Sequence, residues 1–154
     1  MTAGPYVLRW LPKVVPLITG RHPMPVPLSD HVRALVDTTA YVTLATLNQD
    51  GSPHLSVVWV TREGDDLLVS TTQGRQKERN LRRDPRVSIL VPNPENPYNY
   101  AEIRGRIAMS TEGGRELIDT LSEKYRGREY DTEPEGTVRV VLRLTPERVI
   151  EFGS

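Results

Sequence analysis

Two alternating runs, Tyr41–Leu47 and His54–Arg62, flank the turn Asn48-Gln49-Asp50-Gly51. No other feature of the chain constrains the fold as tightly. Alternation with a period of two places Leu55, Val57 and Trp59 on one face of a strand, with Ser56, Val58 and Val60 on the other. Glycine at the end of the turn supplies the positive φ that a hairpin connection requires. The pair therefore predicts two antiparallel neighbours joined directly, without a crossover helix.

The rest of the chain repeats that logic. Glu63-Gly64-Asp65-Asp66 reads as a turn and Leu67–Ser70 as a third strand. A charged helix over about Arg75–Arg83 stops at Asp84-Pro85, because proline restricts the residue before it. Val87–Val91 is a buried strand, the run from Pro92 to Pro97 a loop, and Tyr98–Met109 a strand with a bulge or close approach at Gly105. Thr111 caps a helix whose apolar face is Leu117, Ile118, Leu121 and Tyr125. Thr137–Leu144 is a strand that Pro146 breaks, and Val149–Phe152 closes the chain. Upstream, Ser29 caps a short helix carrying Val32, Leu35 and Val36. Hairpin-linked strands with short helices in the connections exclude the alternation of a doubly wound parallel sheet. The expectation is a mainly β domain, a six-stranded antiparallel barrel over residues 29–154. It is preceded by a proline-rich extension, residues 1–28, that docks through Tyr6, Leu8, Trp10, Leu11 and Val14.

Composition narrows the chemistry. The 154 residues carry 20 Lys and Arg against 20 Asp and Glu, so no global field draws the chain to nucleic acid, and any basic site is local. Cysteine is absent, which removes disulfides, thiolate metal sites and thiol nucleophiles. His22, His31 and His54 lack ligand spacing, and no metal is expected. Arg9, Pro12, Lys13 and Pro16 interrupt the apolar stretch Tyr6–Ile18, which fits neither a secretion signal nor a membrane span. A cytoplasmic location follows as the expectation.

The chemistry concentrates between Ser70 and Ser88. There the third strand runs through Thr71, Thr72 and Gly74 into the charged helix. Free N–H groups and the positive dipole end of a helix start attract an anion. Thr71 and Thr72 add hydroxyl donors, and Arg75 and Lys77 add charge-assisted ones. These groups make a candidate phosphate site. Arg79, Arg82, Arg83 and Arg86 read mostly as surface charges partnered by Glu78 and Asp84. Asp65 and Asp66 lie in a turn and form no acid–base dyad, and no Ser–His–Asp arrangement is recoverable.

The segments Tyr41–His54, Ser56–Val60, Thr71–Ser88 and Glu102–Gly105 occur in the order seen in a known family. The chain resembles the flavin-binding split-barrel superfamily that contains pyridoxamine 5′-phosphate oxidase, and within it the deazaflavin (coenzyme F-420)-dependent oxidoreductases of actinobacteria. The R-x-K-x-x-N-L-x-x-D-P-R run from Arg75 to Arg86 carries that resemblance most strongly. It implies a six-stranded split β-barrel of the FMN-binding type, a homodimer, and a cofactor in each of two interface grooves. By the same resemblance Arg75 and Lys77 hold the cofactor phosphate, flanked by Ser70, Thr71, Thr72 and Gln76. Asn80, counted with the cofactor-binding residues, and Leu81 fix the helix, and the backbone of Ser56, Val57, Val58 and Trp59 lines the tricyclic ring. Tyr98 and Tyr100 approach from the other subunit. The implied activity is hydride transfer between coenzyme F-420 and an unsaturated small molecule. An FMN oxidoreductase and a non-catalytic flavin-binding protein are the alternatives. The C-terminal stretch Glu147–Phe152 lacks the histidine that vitamin B6 oxidases pair with arginine, which disfavours that substrate.

Overall fold

The hairpin forms as read. In the computed structural model, which describes residues 23–153, β1 (Val42–Leu47) and β2 (Pro53–Val58) pair antiparallel from Val42↔Val58 to Leu47↔Pro53. Gly51 takes a φ of 83°, and the Asp50 carboxylate accepts from the backbone and hydroxyl of Ser52, locking the turn. The docking expectation for the N-terminal extension falls on residues 1–22, outside the described residues.

The remaining elements are α1 (Asp30–Asp37), β3 (Thr61–Glu63), β4 (Asp66–Thr72), α2 (Gln76–Arg83), β5 (Arg86–Pro92), β6 (Tyr100–Ser110), α3 (Gly114–Arg126) and β7 (Arg139–Phe152). All strands join one antiparallel sheet in the order β2-β1-β5-β6-β7-β4-β3. This corrects the expectation of a six-stranded barrel: the described residues form seven strands, and no ladder joins β2 to β3. The run read as one strand over His54–Arg62 stops at Val58, and Thr61–Glu63 pairs instead with β4 at the opposite edge. Only Trp59 and Val60 separate the two edges in sequence. Three Cα–Cα steps span at most about 11 Å, so the sheet has to curl until its ends nearly meet.

The inside of the curl is the core. Leu44, Ile89, Ile103, Leu142 and Leu144 are essentially inaccessible, and α1 adds Val32, Leu35 and Val36. Each such side chain contributes roughly 1.5–3 kcal/mol through burial. Ser29 Oγ accepts from Val32 N–H and caps α1 as expected.

Two boundaries differ from expectation. Pro146 does not break the last strand. β7 runs through it because β4 ends opposite Leu144 and leaves that side of β7 without a ladder, so the missing N–H costs nothing there. The register shift beside Arg104 and Gly105 admits the extra β7 residue, which is the bulge anticipated at Gly105. A Cβ on Gly105 would lie 2.1 Å from the Thr145 carbonyl oxygen, so no other residue fits. The third helix begins at Gly114 after Gly113 in the left-handed region, rather than at Thr111. There Gly114 packs directly on the Arg139 backbone, leaving no room for a side chain.

Candidate functional site

A cleft of about 300 Å³ opens where β4 passes into α2, beside the two-residue link from β2 to β3. Its floor and one end come from Ser70, Thr71, Thr72, Arg75 and Lys77, and its side from Val57, Val58 and Trp59. These are eight of the thirteen residues named from the sequence, and the fold brings them together from segments that are apart in the chain.

At the cationic end, no side chain caps α2. The first helical bond runs from Arg79 N–H to the Arg75 carbonyl, which leaves the N–H groups of the first turn available. The Gly74 N–H is instead taken by the Glu78 carboxylate, 3.0 Å away and buried beneath the loop. Glu78 would repel an anion, but Arg82 pairs with it from the next turn. Arg75 Nε donates only to Thr72 Oγ1 at 3.3 Å. Lys77 is half-buried, and burial together with the neighbouring Arg75 pushes its ammonium below the usual lysine range. Neither cation has a carboxylate partner among the described residues. An anion entering here restores what burial took from Lys77.

The other wall is aromatic. Trp59 stacks on Tyr125 at 5.3 Å between ring centroids, nearly parallel, and meets Tyr130 edge-on at 6.3 Å. Tyr125 fixes this arrangement: its hydroxyl donates to the Ala40 carbonyl at 2.8 Å and accepts from Val60 N–H at 3.2 Å. Lys124 reinforces it by donating to the carbonyls of Val36 and Val60 at 2.6 and 2.8 Å. The cleft is thus anion-binding at one end and flat and apolar along its side. This arrangement suits an elongated ligand with a phosphate and a planar ring.

Five lining residues escaped the sequence reading: Tyr41, Ile118, Leu121, Tyr130 and Arg139. Ile118 and Leu121 were assigned to a core face of α3, which also forms the cleft wall. Arg139 is held by Glu133 in a bidentate pair at 2.6–3.0 Å, donates to Ser70 Oγ and lies over the Tyr130 ring. Nothing local in the sequence marks Arg139. Its place follows from the β4–β7 register, Thr72↔Arg139.

The other named residues lie elsewhere. Ser56 faces the curl's interior opposite Leu44, its hydroxyl unpartnered among the described residues. Gln76 points to the hairpin turn, bonding Asn80 and Asn48. Asn80 is fully buried and donates to Thr46 Oγ1 and Asn48 Oδ1 at 3.0 Å, tying α2 to β1. Tyr98 is exposed, and Tyr100 stacks on Phe152. Within one chain neither Tyr98 nor Tyr100 lines the cleft. His54 likewise points inward, with Nδ1 unpartnered among the described residues. Asp65 and Asp66 are bound to Arg33 and Arg143 respectively. Around α2, Arg86 pairs with Asp84, whereas Arg79 and Arg83 donate to the carbonyls of Gly74 and Leu47.

Residues 28–153 match the pyridoxamine 5′-phosphate oxidase family, and the chain belongs to it. Among solved structures, it is similar to an F-420 reductase at 28% identity. That match has a TM-score of 0.71 and covers 80% of this chain and 98% of the other. A conserved hypothetical protein of Mycobacterium tuberculosis matches at 26% identity and TM-score 0.67, over 83% of this chain and 86% of its own. A pyridoxamine 5′-phosphate oxidase-type protein of Listeria innocua shares the fold at 20% identity and TM-score 0.66, over 81% and 98%. Family and neighbours together support a flavin-type binding fold with an oxidoreductase role. No described helix is long and apolar enough to cross a membrane.

Proposed function

We propose that the chain is an oxidoreductase that binds coenzyme F-420 in this cleft, for hydride transfer to an unsaturated organic acceptor. One observation carries the reading: two cations without carboxylate partners among the described residues, Arg75 and Lys77, stand at one end of a cleft whose side carries Trp59 and Tyr130, with Tyr125 stacked on Trp59. The likeness to an F-420 reductase supports the deazaflavin over FMN. Arg79 and Arg83 favour the same choice, since no carboxylate among the described residues pairs with them and their charges attract an acidic tail at long range.

When bound, the coenzyme supplies the two-electron chemistry. The chain's residues then have three tasks. Arg75, Lys77 and the first-turn amides of α2 hold the phosphate. Val57, Val58 and Trp59 support the ring, and the aromatic wall keeps water from one face. No side chain is required as acid or base, because a proton can come from solvent.

In this reading the protein is a homodimer. Leu55, Val57 and Leu90 are exposed on the outer face of β2-β1-β5, next to the cleft. The row Val57–Thr43–Leu90 crosses all three strands. A second copy on that face would bury it and bring its own Tyr98 and Tyr100 toward the cleft.

The test is titration with coenzyme F-420 and FMN in parallel, followed by tryptophan emission, then turnover with reduced coenzyme and an enone acceptor. Tighter binding of coenzyme F-420, with turnover, is expected. Preference for FMN would move the protein to the FMN oxidoreductases. Binding without turnover on any acceptor would make it a carrier.

A further inference from the structure

On the opposite flank of α3 from the cleft lies a second cavity of about 390 Å³, which the proposed function does not use. α3 separates the two: Ile118 and Leu121 face the cleft, while Leu117 and Thr120 face this cavity. We propose that it is a binding site for a neutral, largely apolar small molecule.

The lining chemistry argues for that class. Leu68, Val141 and Leu117 form an apolar floor continuous with the cluster under α3, and Ala108 and Met109 of β6 extend it. The charged groups in the wall are already matched. Arg143 bonds Glu63 at 2.9 Å and Asp66 at 3.0 Å, and Arg62 holds Asp37 at 2.7 Å. An anion would find no uncommitted cation, and Glu112 at the rim would repel it. Hydroxyls remain at Thr61, Ser110 and Thr120. They suit a ligand with one or two neutral polar groups, such as a carbonyl or an alcohol. The volume lies within the range of pockets that enclose small organic molecules, roughly 300–1,000 Å³. The site has the opposite chemistry to the cleft, whose end is cationic and whose ligand is anionic. Its assignment stands whether or not the coenzyme F-420 reading does.

The test uses the full chain and a neutral probe, Nile red, with the anionic dye 8-anilinonaphthalene-1-sulfonate as the contrast. Ala108 and Thr120 are exposed at the cavity mouth, so Ala108→Phe/Thr120→Phe fills the space without disturbing the core. Saturable one-to-one binding of Nile red is expected, weakened at least about tenfold in the filled variant. The variant Arg75→Ala/Lys77→Ala should leave it unchanged. Methyl resonances of Ala108, Thr61 and Val141 should shift on titration of the unaltered protein, which locates the probe even where the filled variant folds poorly. Several outcomes overturn the proposal: no saturable binding to the full chain, undiminished binding to a folded filled variant, or equal affinity for the anionic dye. Shifts confined to Leu55, Val57 and Leu90 would place the probe on the exposed sheet face and overturn it equally.

Discussion

On the β6-β7-β4 half of the sheet, α3 covers outward-facing Leu68 and Val141 with Leu117 and Leu121. The β2-β1-β5 half presents a row of the same kind, Val57–Thr43–Leu90, with 68% of Val57 and 39% of Leu90 exposed. Both halves alternate with period two, and both put apolar residues outward. Among the described residues, one half finds its cover within the chain and the other does not. The proposed homodimer gives the uncovered row a cover, since large exposed apolar patches mark partner surfaces. The cleft lies on the seam, taking Val57, Val58 and Trp59 from one half and Ser70–Thr72 with α3 from the other.

The largest expected effect tests the covered half. Leu121 is fully buried under α3, and Leu121→Ala should cost about 3 kcal/mol from lost burial and the cavity left behind. Val57→Ala, on the bare half, should change monomer stability by no more than about 0.5 kcal/mol. Urea unfolding at low protein concentration measures both. Equal losses would erase the contrast between the halves.

The seam comes next. Arg75→Ala/Lys77→Ala should weaken coenzyme binding by about 2–3 kcal/mol, the scale of charge-assisted hydrogen bonds. Titration of the double variant measures this, and unchanged affinity would remove the phosphate end from the site. Burial lowers the Lys77 pKa, so affinity in the unaltered protein should fall as pH rises, at lower pH than an ordinary lysine would dictate. Lys77→Arg should abolish that decline.

A smaller effect belongs to the bare half. Val57→Asp places a charge in the uncovered row and should weaken self-association by roughly 2 kcal/mol, as for a central interface residue. Sedimentation velocity across a concentration series reads this directly. A monomeric unaltered protein would show that the row meets some other partner or none.

How much of this was legible in the sequence follows from the range of each interaction. The Asn48–Gly51 turn and the Ser29 cap depend on neighbours along the chain, and the sequence reading placed them correctly; at Gly105 the residue type alone signalled a bulge or close approach, although the contact that requires glycine is the Thr145 carbonyl on β7. The phosphate-binding corner from Ser70 to Lys77 is also one continuous stretch, so its residues could be named together. Arg139 and Tyr130 were missed because only the β4–β7 register brings them to Ser70 and Trp59. The split of His54–Arg62 into two strands was hidden for the same reason: Thr61 pairs with Leu68 across a turn, while Val58 pairs with Val42 at the far edge. Pro146 misled because a proline is forbidden only where its N–H has a ladder partner, and the end of β4 decides that. Asn80 ties α2 to β1, the anchoring role read for it beside its place in the cofactor set, and the Ser56 side chain faces inward, which the alternation left open because it does not say which face is the core.

The smallest effect concerns the latch that holds the two halves together at the seam. Lys124 donates from α3 to the Val36 and Val60 carbonyls, beside the link between β2 and β3. Burial pushes its ammonium down to about 8, with nearby Asp37 raising and Arg62 lowering it, and the Tyr125 ring lies 5.2 Å away. A lysine in the unfolded chain keeps its proton to about 10.4. Between about pH 8 and 10 the unfolded state therefore binds more protons than the folded one, and stability rises with pH across that window. The side chain is only half-buried, so screening reduces the gain to about 1 kcal/mol. Lys77 contributes with the same sign, and Tyr125, whose pKa burial raises, opposes both above pH 10. The decisive quantity is therefore the difference between the unaltered protein and Lys124→Met, followed by urea unfolding from pH 7.5 to 10. That difference should shift by about 1 kcal/mol in favour of the unaltered protein as pH rises. A constant difference would mean that the latch acts through its two hydrogen bonds alone, and that the seam carries no pH dependence from this lysine.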